Sequence, residues 1–174
     1  MENWDDNEFP LAYLITIRTY GTWLHGDERG SVDIHGKNVY GLPKVAPNEK
    51  LTKRMGENMK DEVFLLDEKQ REAVEESIKE TYKIRAYNLL AVNVRTNHLH
   101  AVVTANVKPE IIINGFKAHA TRKLKEKYLI IKDTKVWSRG GSNRYLWKKH
   151  HVDGAIDYVL YGQGLLPFEL NKKT

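Results

Sequence analysis

The sequence predicts an α+β fold in which four antiparallel strands form one sheet, helices cover one face of it, and a further helix follows at the C-terminus. Three observations carry this prediction. Short segments alternate apolar and polar residues as strands do, longer segments repeat apolar residues at helical spacing, and the two kinds follow in a definite order. With 174 residues, the chain is long enough for one domain with a sizeable core.

The first strand is predicted at residues 13–19, where every second residue up to position 17 is a tyrosine or an isoleucine. The segment at residues 21–62 has glycine or proline at many positions and too few apolar residues for a core of its own. We therefore expect residues 1–174 to form a single domain with a long insertion at about residues 21–62. A short helix is predicted within that insertion, at residues 48–59.

A helix is predicted at residues 67–85, because Asp67 and Gln70 have the spacing of a capping box and apolar residues recur at helical spacing after them. The inner face of this helix would carry Val74, Ile78, Thr81 and Tyr82. Two strands follow at residues 89–94 and 98–105, separated by a short polar break.

Pro109 suits the first turn of the next helix. The inward side of that helix would consist of Ile112, Ile113, Phe116, Ala120 and Leu124. A fourth strand is predicted at residues 143–147 and a final helix at residues 151–161. This order is the ferredoxin-like pattern (βαββαβ) with an extra C-terminal helix, in which two helices cover one face of the sheet and leave the other face for a site.

The positive charge of the chain is concentrated in one segment. The formal net charge is +5, yet residues 108–150 contain twelve Lys or Arg and three Asp or Glu, and the remainder carries a net charge of −4. A basic segment favours a polyanionic partner, although a solvated face that maintains solubility produces the same composition.

Composition excludes several classes of protein. The chain contains no cysteine, which rules out disulfides, thiolate metal sites and cysteine catalysis. Its apolar runs are too short to span a bilayer, and its first eight residues are acidic and polar, unlike a secretory signal. These features predict a cytoplasmic protein without a membrane partner.

His98 and His100 lie in the third predicted strand with one residue between them. Because side chains alternate along a strand, both imidazoles point to one face and start roughly 6.5–7 Å apart at the backbone. Two imidazoles at that spacing can converge on one divalent metal ion, and the pair alone does not name the metal. The alternative is that no metal is bound, because two polar residues on the solvent-exposed face of a strand would have the same spacing.

Residues 97–103 (NHLHAVV) resemble the histidine–hydrophobic–histidine motif of the single-tyrosine HUH transposases, which include the insertion-sequence and the REP-associated tyrosine transposases. Residues 13–19, 137–147 and 155–159 are similar to further segments of that family. The resemblance covers most of the chain except residues 21–62.

The resemblance implies that His98 and His100 hold one divalent cation, Mg²⁺ or Mn²⁺. It also implies that a helical tyrosine cuts single-stranded DNA and stays joined to the 5′ phosphate until the strand is rejoined, without a nucleotide cofactor. Such proteins often act as homodimers on DNA hairpins. Tyr158 matches the family's nucleophile, and relatives often carry a glutamine four residues later as a third metal ligand. Here that position is Gly162, and the glutamine is Gln163.

Helical geometry is consistent with an accessible tyrosine in the final helix. The apolar stripe of that helix would contain Val152, Ala155, Ile156, Val159 and Leu160. At about 100° per residue, Tyr158 lies roughly 120° from the centre of the stripe and Tyr161 roughly 170°. Tyr158 is the predicted nucleophile and Tyr161 the alternative. In an ideal helix Gln163 would point about 140° away from Tyr158, so His119, Asn143, His151 or water are alternative third ligands.

The basic segment would provide a track for the DNA backbone. The predicted contacts are Lys117, Arg122, Lys123, Arg139, Arg144, Lys148 and Lys149. Two other functions remain open on the sequence alone. A ferredoxin-like sheet with a basic flank is also typical of nucleic-acid-binding modules without catalysis, although those carry paired aromatic residues on the middle strands. A zinc hydrolase would need another histidine or a carboxylate ligand.

Overall fold

The computed structural model of the chain describes residues 9–22, 48–59 and 61–163. The elements in chain order are β1 (Ala12–Arg18), α1 (Glu49–Glu57), α2 (Glu68–Arg85), β2 (Asn88–Val94), β3 (His98–Thr104), α3 (Pro109–Glu126), β4 (Ser142–Leu146) and α4 (Lys149–Tyr161). Their bounds differ from the sequence-based ones by one or two residues. Of the predicted insertion, residues 23–47 and residue 60 lie outside the described residues.

The four strands form one antiparallel sheet in the order β2-β3-β1-β4. This order confirms the predicted α+β, ferredoxin-like fold. Strands β1 and β3 occupy the centre, and their register sets Thr16 opposite His100 and Arg18 opposite His98. Residues directly opposite in an antiparallel pair share a face, so all four side chains lie on the same side of the sheet.

A core lies on each face of the sheet. Helices α2 and α3 cover the larger core, in which alternate strand residues such as Ile15, Ile17 and Leu99 are buried. Helix α4 covers a smaller core on the opposite face. That core contains Ala12, Leu14, Ala91, Val102, Leu146, Ala155 and Val159. The histidine face of the sheet is therefore the face on which α4 packs.

The start of α2 is fixed by the predicted capping box. The Asp67 carboxylate accepts a hydrogen bond from the backbone N–H of Gln70 at 2.9 Å, and the Gln70 side-chain oxygen accepts one from the backbone N–H of Asp67 at 2.9 Å. The Gln70 side-chain amide also donates to the Leu129 carbonyl, across the loop that follows α3. These contacts satisfy backbone donors at the helix start and tie α2 to its neighbour.

Helix α3 begins at Pro109 as predicted, and all five of its predicted inward residues are buried. Its basic side chains meet acidic ones on α2: Lys123 lies 2.8 Å from Glu80 and 3.6 Å from Glu76. Lys127 also pairs with Glu76, and this hydrogen bond is the main reason why the pKa of Glu76 is lowered.

Among the described residues, no helix is long and apolar enough to cross a membrane.

Candidate active site

His98 and His100 lie side by side at the start of β3, with ring centroids 4.7 Å apart. Leu99, between them, is buried in the larger core on the other face. His100 is only 7% exposed, whereas His98 is half-buried. The alternation of the strand therefore brings both imidazoles to one place beside α4.

Each ring nitrogen of His98 faces an amide oxygen. Nδ1 of His98 lies 2.6 Å from Oδ1 of Asn97, and Nε2 lies 3.3 Å from Oε1 of Gln163. The amide nitrogen of Gln163 donates to the Tyr158 carbonyl at 3.3 Å, which leaves its oxygen directed towards His98. This arrangement joins the start of β3 to the end of α4.

His100 is oriented from β1. Its Nδ1 lies 2.8 Å from the Thr16 hydroxyl in a buried contact. The Nδ1 side of the ring is therefore turned towards β1. The ring of His100 also meets the Tyr158 ring edge-to-face, with centroids 5.3 Å apart.

Helix α4 holds Tyr158 beside the histidines. Ala155 and Val159 are buried against the sheet, and the Asn93 side chain on β2 donates to the Val159 carbonyl at 2.9 Å. Tyr158 is 40% exposed while its ring contacts His100, and Tyr161 is 79% exposed. Leu160, expected in the apolar stripe, is 43% exposed, so the buried stripe of α4 is narrower than predicted.

Gln163 reaches His98 because α4 ends at Tyr161. Had the helix continued, Gln163 would point away from Tyr158, as the sequence predicts. Gly162 follows the helix with ordinary right-handed angles, φ −84° and ψ −1°, so no left-handed turn is involved. A Cβ at Gly162 would lie 2.8 Å from the Tyr158 carbonyl oxygen and 2.9 Å from Cδ2 of its ring. Only glycine fits this close approach without a shift.

The predicted DNA-contacting residues divide between the two faces of the sheet. Lys117, Arg122 and Lys123 lie on α3, on the face opposite the histidines. The Lys117 ammonium donates to the carbonyls of Ser138 and Gly140, and burial lowers its pKa. Lys117 thus anchors the loop before β4.

Arg122 lines a shallow groove on α3, donates to Nδ1 of His119 at 2.8 Å and pairs with Glu126 at 3.7 Å. Lys123, as described above, pairs with Glu76 and Glu80 of α2. Arg122 and Lys123 are therefore both paired within the protein, on the face opposite His98 and His100.

Arg144, Lys148 and Lys149 lie on the face covered by α4, whereas Arg139 lies in the loop that Lys117 of α3 contacts. Arg144 on β4 is opposite Leu14, whose side chain belongs to the smaller core, so Arg144 points to the face covered by α4. Burial lowers the pKa of Arg144. Lys148 and Lys149 are exposed where α4 begins, and Arg139 is exposed in the loop before β4.

The alternative third ligands lie elsewhere. His119 is on α3, and its ring contacts Arg122. Asn143 is opposite Ile15 and therefore faces the larger core. His151 meets His150 edge-to-face in the first turn of α4, with ring centroids 4.3 Å apart.

Sequence reasoning missed three residues of this site: Thr16, Arg18 and Asn97. The polar face of β1 was visible in the sequence, because Thr16 and Arg18 alternate with Ile15 and Ile17. The register that sets Thr16 opposite His100 and Arg18 opposite His98 cannot be read from the sequence. Asn97 directly precedes His98 and belongs to the segment that resembles the family motif, but the sequence does not predict its contact with the His98 ring.

The donors present fit a divalent transition metal. Two imidazoles and one neutral amide oxygen are ligands that Mn²⁺ accepts, whereas Mg²⁺ favours oxygen more strongly. No group of three His, Asp or Glu side chains that could hold a metal occurs in the described part of the chain.

Comparison with known proteins identifies the class. Residues 58–152 match the family described as "Transposase IS200 like". Because this match spans more than half of the chain, the chain belongs to the IS200-like transposase family, which confirms the family expected from the resemblance. His98 and His100 fall inside the matched range, whereas β1, Tyr158 and Gln163 fall outside it.

One solved structure, a REP-associated tyrosine transposase bound to a REP hairpin, aligns with 91% of this chain and 70% of its own. The TM-score is 0.45 and the sequence identity 9%, and a likeness this distant says nothing about residue roles. None of the curated proteins matches the chain.

Proposed function

We propose that this protein cuts and rejoins single-stranded DNA, with Tyr158 as the nucleophile and with His98 and His100 as ligands of a divalent cation. The observation that carries the proposal is the meeting of these side chains from separate elements. The Tyr158 ring lies 5.3 Å from that of His100, which lies 4.7 Å from that of His98. Packing alone does not account for a half-exposed tyrosine against a histidine on this face of the sheet.

The reaction follows from the chemistry of a phenol beside a phosphodiester. The Tyr158 oxygen attacks the phosphorus, the bond from phosphorus to the 3′ oxygen breaks, the phenol loses its proton, and the 3′ oxygen leaves as a hydroxyl after gaining one. The 5′ end of the cut strand then remains on Tyr158. Because one phosphoester replaces another, the 3′ hydroxyl can reverse the step without an external energy source.

His98, His100 and Gln163 would hold the cation, which polarises phosphate oxygens and stabilises the charge that develops on them. The amide oxygen of Gln163 lies 3.3 Å from Nε2 of His98. Mn²⁺ and Mg²⁺ are the proposed ions. All three ligands are uncharged in their binding forms, so the bound ion keeps its full positive charge for the phosphate.

The proposed track for the DNA backbone begins with Arg144, Lys148 and Lys149, which lie beside α4 on the histidine side. Arg139 extends it along the loop before β4. A strand held there would gain the salt-dependent attraction that phosphates supply to basic side chains. The remaining proposed contacts, Lys117, Arg122 and Lys123, would meet only DNA that reaches the α3 face.

The substrate and assembly are proposed from the family resemblance. We propose a DNA hairpin as the substrate, a homodimer as the working form and the cytoplasm as the location. Residues 1–174 would act as one domain. The insertion at about residues 21–62 would contribute to DNA recognition or to the dimer contact, since long loops in compact domains are usually either functional or disordered linkers.

The test compares Tyr158→Phe with Tyr161→Phe, because each change removes one hydroxyl from the same helix. The full chain is incubated with labelled single-stranded DNA from its own genomic flanks and Mn²⁺, and covalent adducts are separated on a denaturing gel. We expect an adduct with wild type and with Tyr161→Phe, none with Tyr158→Phe, and none in the presence of a chelator.

The opposite pattern, in which Tyr161→Phe loses the adduct and Tyr158→Phe keeps it, would assign the nucleophile to Tyr161. A wild-type protein that binds the DNA but never forms an adduct would leave a nucleic-acid-binding module in place of the enzyme.

A further inference from the structure

Tyr128 follows α3 with its backbone in the left-handed region, at φ +56°, and its side chain is 94% exposed. A bulky residue rarely adopts this conformation, because its Cβ crowds the neighbouring carbonyl oxygen. Among the described residues other than glycine, only Ala86 after α2 shares a positive φ, and alanine has no side chain beyond Cβ. Tyr128 therefore combines an unfavourable backbone conformation with a ring that gains almost no burial.

The backbone conformation at Tyr128 is set by the way in which α3 ends. The backbone N–H of Tyr128 donates to the Lys125 carbonyl at 3.0 Å, and that of Leu129 donates to the Leu124 carbonyl at 2.9 Å. These two bonds form the Schellman motif, in which the left-handed residue is usually glycine. Leu129 packs against the larger core, to which Leu124 belongs. The motif accounts for the backbone of Tyr128, but it gives no reason for an aromatic ring there.

The shallow groove on α3 leads towards Tyr128. Three of its six lining residues are basic and none is acidic: Asn114, Lys117, Ala118, Thr121, Arg122 and Lys125. Tyr128 comes three positions after Lys125, so its backbone lies on the same side at the end of the helix. Lys132, four residues further along the chain, is exposed as well. An exposed aromatic ring therefore lies at the end of a basic groove.

An exposed ring beside basic side chains suits a single strand of nucleic acid. Every base has a flat face that can stack on an aromatic side chain, while neighbouring cations attract the phosphates. A tyrosine side chain also has few rotatable bonds, so holding it against a base costs little conformational entropy. Charge complementarity favours a nucleic acid over a second copy of this chain, because two such grooves would each bring positive charge.

We propose that the Tyr128 ring stacks on one base of a single strand whose phosphates follow the α3 groove, with Lys125 as a phosphate contact. This second nucleic-acid surface lies on the face of the sheet opposite His98 and His100. The choice of a nucleic acid as partner rests on the proposed function, whereas neither cutting nor a metal ion is needed for the contact itself.

The experiment uses the full chain with a chelator present, so that no cutting interferes, and a fluorescently labelled single strand of about 16 thymidines. Fluorescence anisotropy gives the Kd at several salt concentrations. Tyr128→Gly removes the ring and supplies the residue that the Schellman motif favours. Ala86→Gly is the matched control, because it also introduces glycine at a positive φ at a helix end. Tyr128→Phe keeps the ring and removes the hydroxyl.

We expect Tyr128→Gly to weaken binding about 5- to 150-fold, the loss that corresponds to one stacked base. Tyr128→Phe and Ala86→Gly should bind like wild type. The dependence of log Kd on log salt should keep its slope in Tyr128→Gly, because the ring is uncharged, and should lose roughly 0.7 in Lys125→Ala, which removes one phosphate contact. A strand that contains an iodinated deoxyuridine should crosslink to Tyr128 on irradiation, as mapped by mass spectrometry.

Unchanged affinity in Tyr128→Gly would overturn the proposal, and so would an equal loss of affinity in Ala86→Gly. If Tyr128→Gly binds the strand normally but loses self-association by light scattering, the surface joins two copies of the chain and the proposal is wrong. If Tyr128→Gly does not fold, Tyr128→Leu decides by the same loss of affinity, because it removes the aromatic ring and keeps a Cβ.

The outcome is separable from that of the adduct assay. A wild-type protein that binds the strand through Tyr128 but never forms an adduct would refute the proposed cutting and leave the stacking contact standing. A protein that forms the adduct and is indifferent to Tyr128→Gly would refute the stacking contact alone.

Discussion

Gly162 is the residue at which the chain leaves α4 and turns back towards His98. A Cβ there would come within 2.8 Å of the Tyr158 carbonyl and 2.9 Å of its ring. The Tyr158 carbonyl oxygen is a backbone atom, so it cannot give way without a shift of the helix itself. The absence of a side chain at this position therefore allows Tyr158 and Gln163 to lie where they do.

Gly162→Ala should reduce adduct formation about 10- to 100-fold, because a displacement of reacting groups by about 1 Å costs that much. The melting temperature should change little, since Gly162 lies exposed at the end of a helix. Quenched time courses of adduct formation measure the first quantity and thermal denaturation the second. Full activity in Gly162→Ala would show that the close approach to Tyr158 is not required.

At the scale of the element, α3 contains a glycine that serves no visible steric purpose. A Cβ added at Gly115 would meet nothing within 4 Å, and the residue lies in the interior of the helix. Glycine in a helix costs conformational entropy on folding that alanine does not.

Gly115→Ala should therefore raise the free energy of unfolding by roughly 0.5–1 kcal/mol. Urea denaturation measures the change, and adduct formation should remain at the wild-type level. This variant is also the matched control for Gly162→Ala, because the same substitution is made far from the site. A loss of stability would mean that Gly115 has a packing role that its surroundings do not reveal.

The helices could be predicted from the sequence because their signals are local. The capping box of Asp67 and Gln70 and the inward residues of α3 depend only on spacing within a few turns. The strands were predicted by alternation, and so was the shared face of His98 and His100.

The remainder of the site depends on distant contacts that spacing does not encode. Thr16 reaches His100 through the register of β1 against β3, a pairing across 84 positions of sequence. Gln163 reaches His98 because α4 stops one residue before Gly162, and a helix end is the least predictable part of a helix. The charge of α3 was visible in the sequence, but its engagement with α2 was not.

For the molecule as a whole, the larger core contains an ionisable group. Tyr13 is buried there, its ring meets that of Tyr145 edge-to-face, and burial raises the pKa of Tyr13 to about 12. An unfolded tyrosine ionises near pH 10. The folded state therefore keeps the proton over a range in which the unfolded state loses it.

Because the folded pKa is the higher one, the contribution of Tyr13 is fully present below about pH 10 and is lost as the pH rises towards about 12. The free energy of unfolding that is lost across this pH range is roughly 2–3 kcal/mol. We expect wild type to lose stability more steeply than Tyr13→Phe across this window, as measured by urea denaturation at several pH values. If the free energy of unfolding fell equally with pH in both proteins, the raised pKa of Tyr13 would be contradicted, since every other tyrosine is common to both.

The two cores differ in what they support. The larger one joins α2 and α3 to the sheet, whereas α4 contributes only Ala155 and Val159 to the buried part of the smaller one. Substitutions in α4 can therefore accumulate while the framework that folds the chain is left untouched. A descendant that lost its tyrosine would keep the sheet, the paired histidines and much of the basic surface. Under the proposed function, loss of the nucleophile and loss of the fold are therefore separate events, because Tyr158 belongs to neither of the two cores.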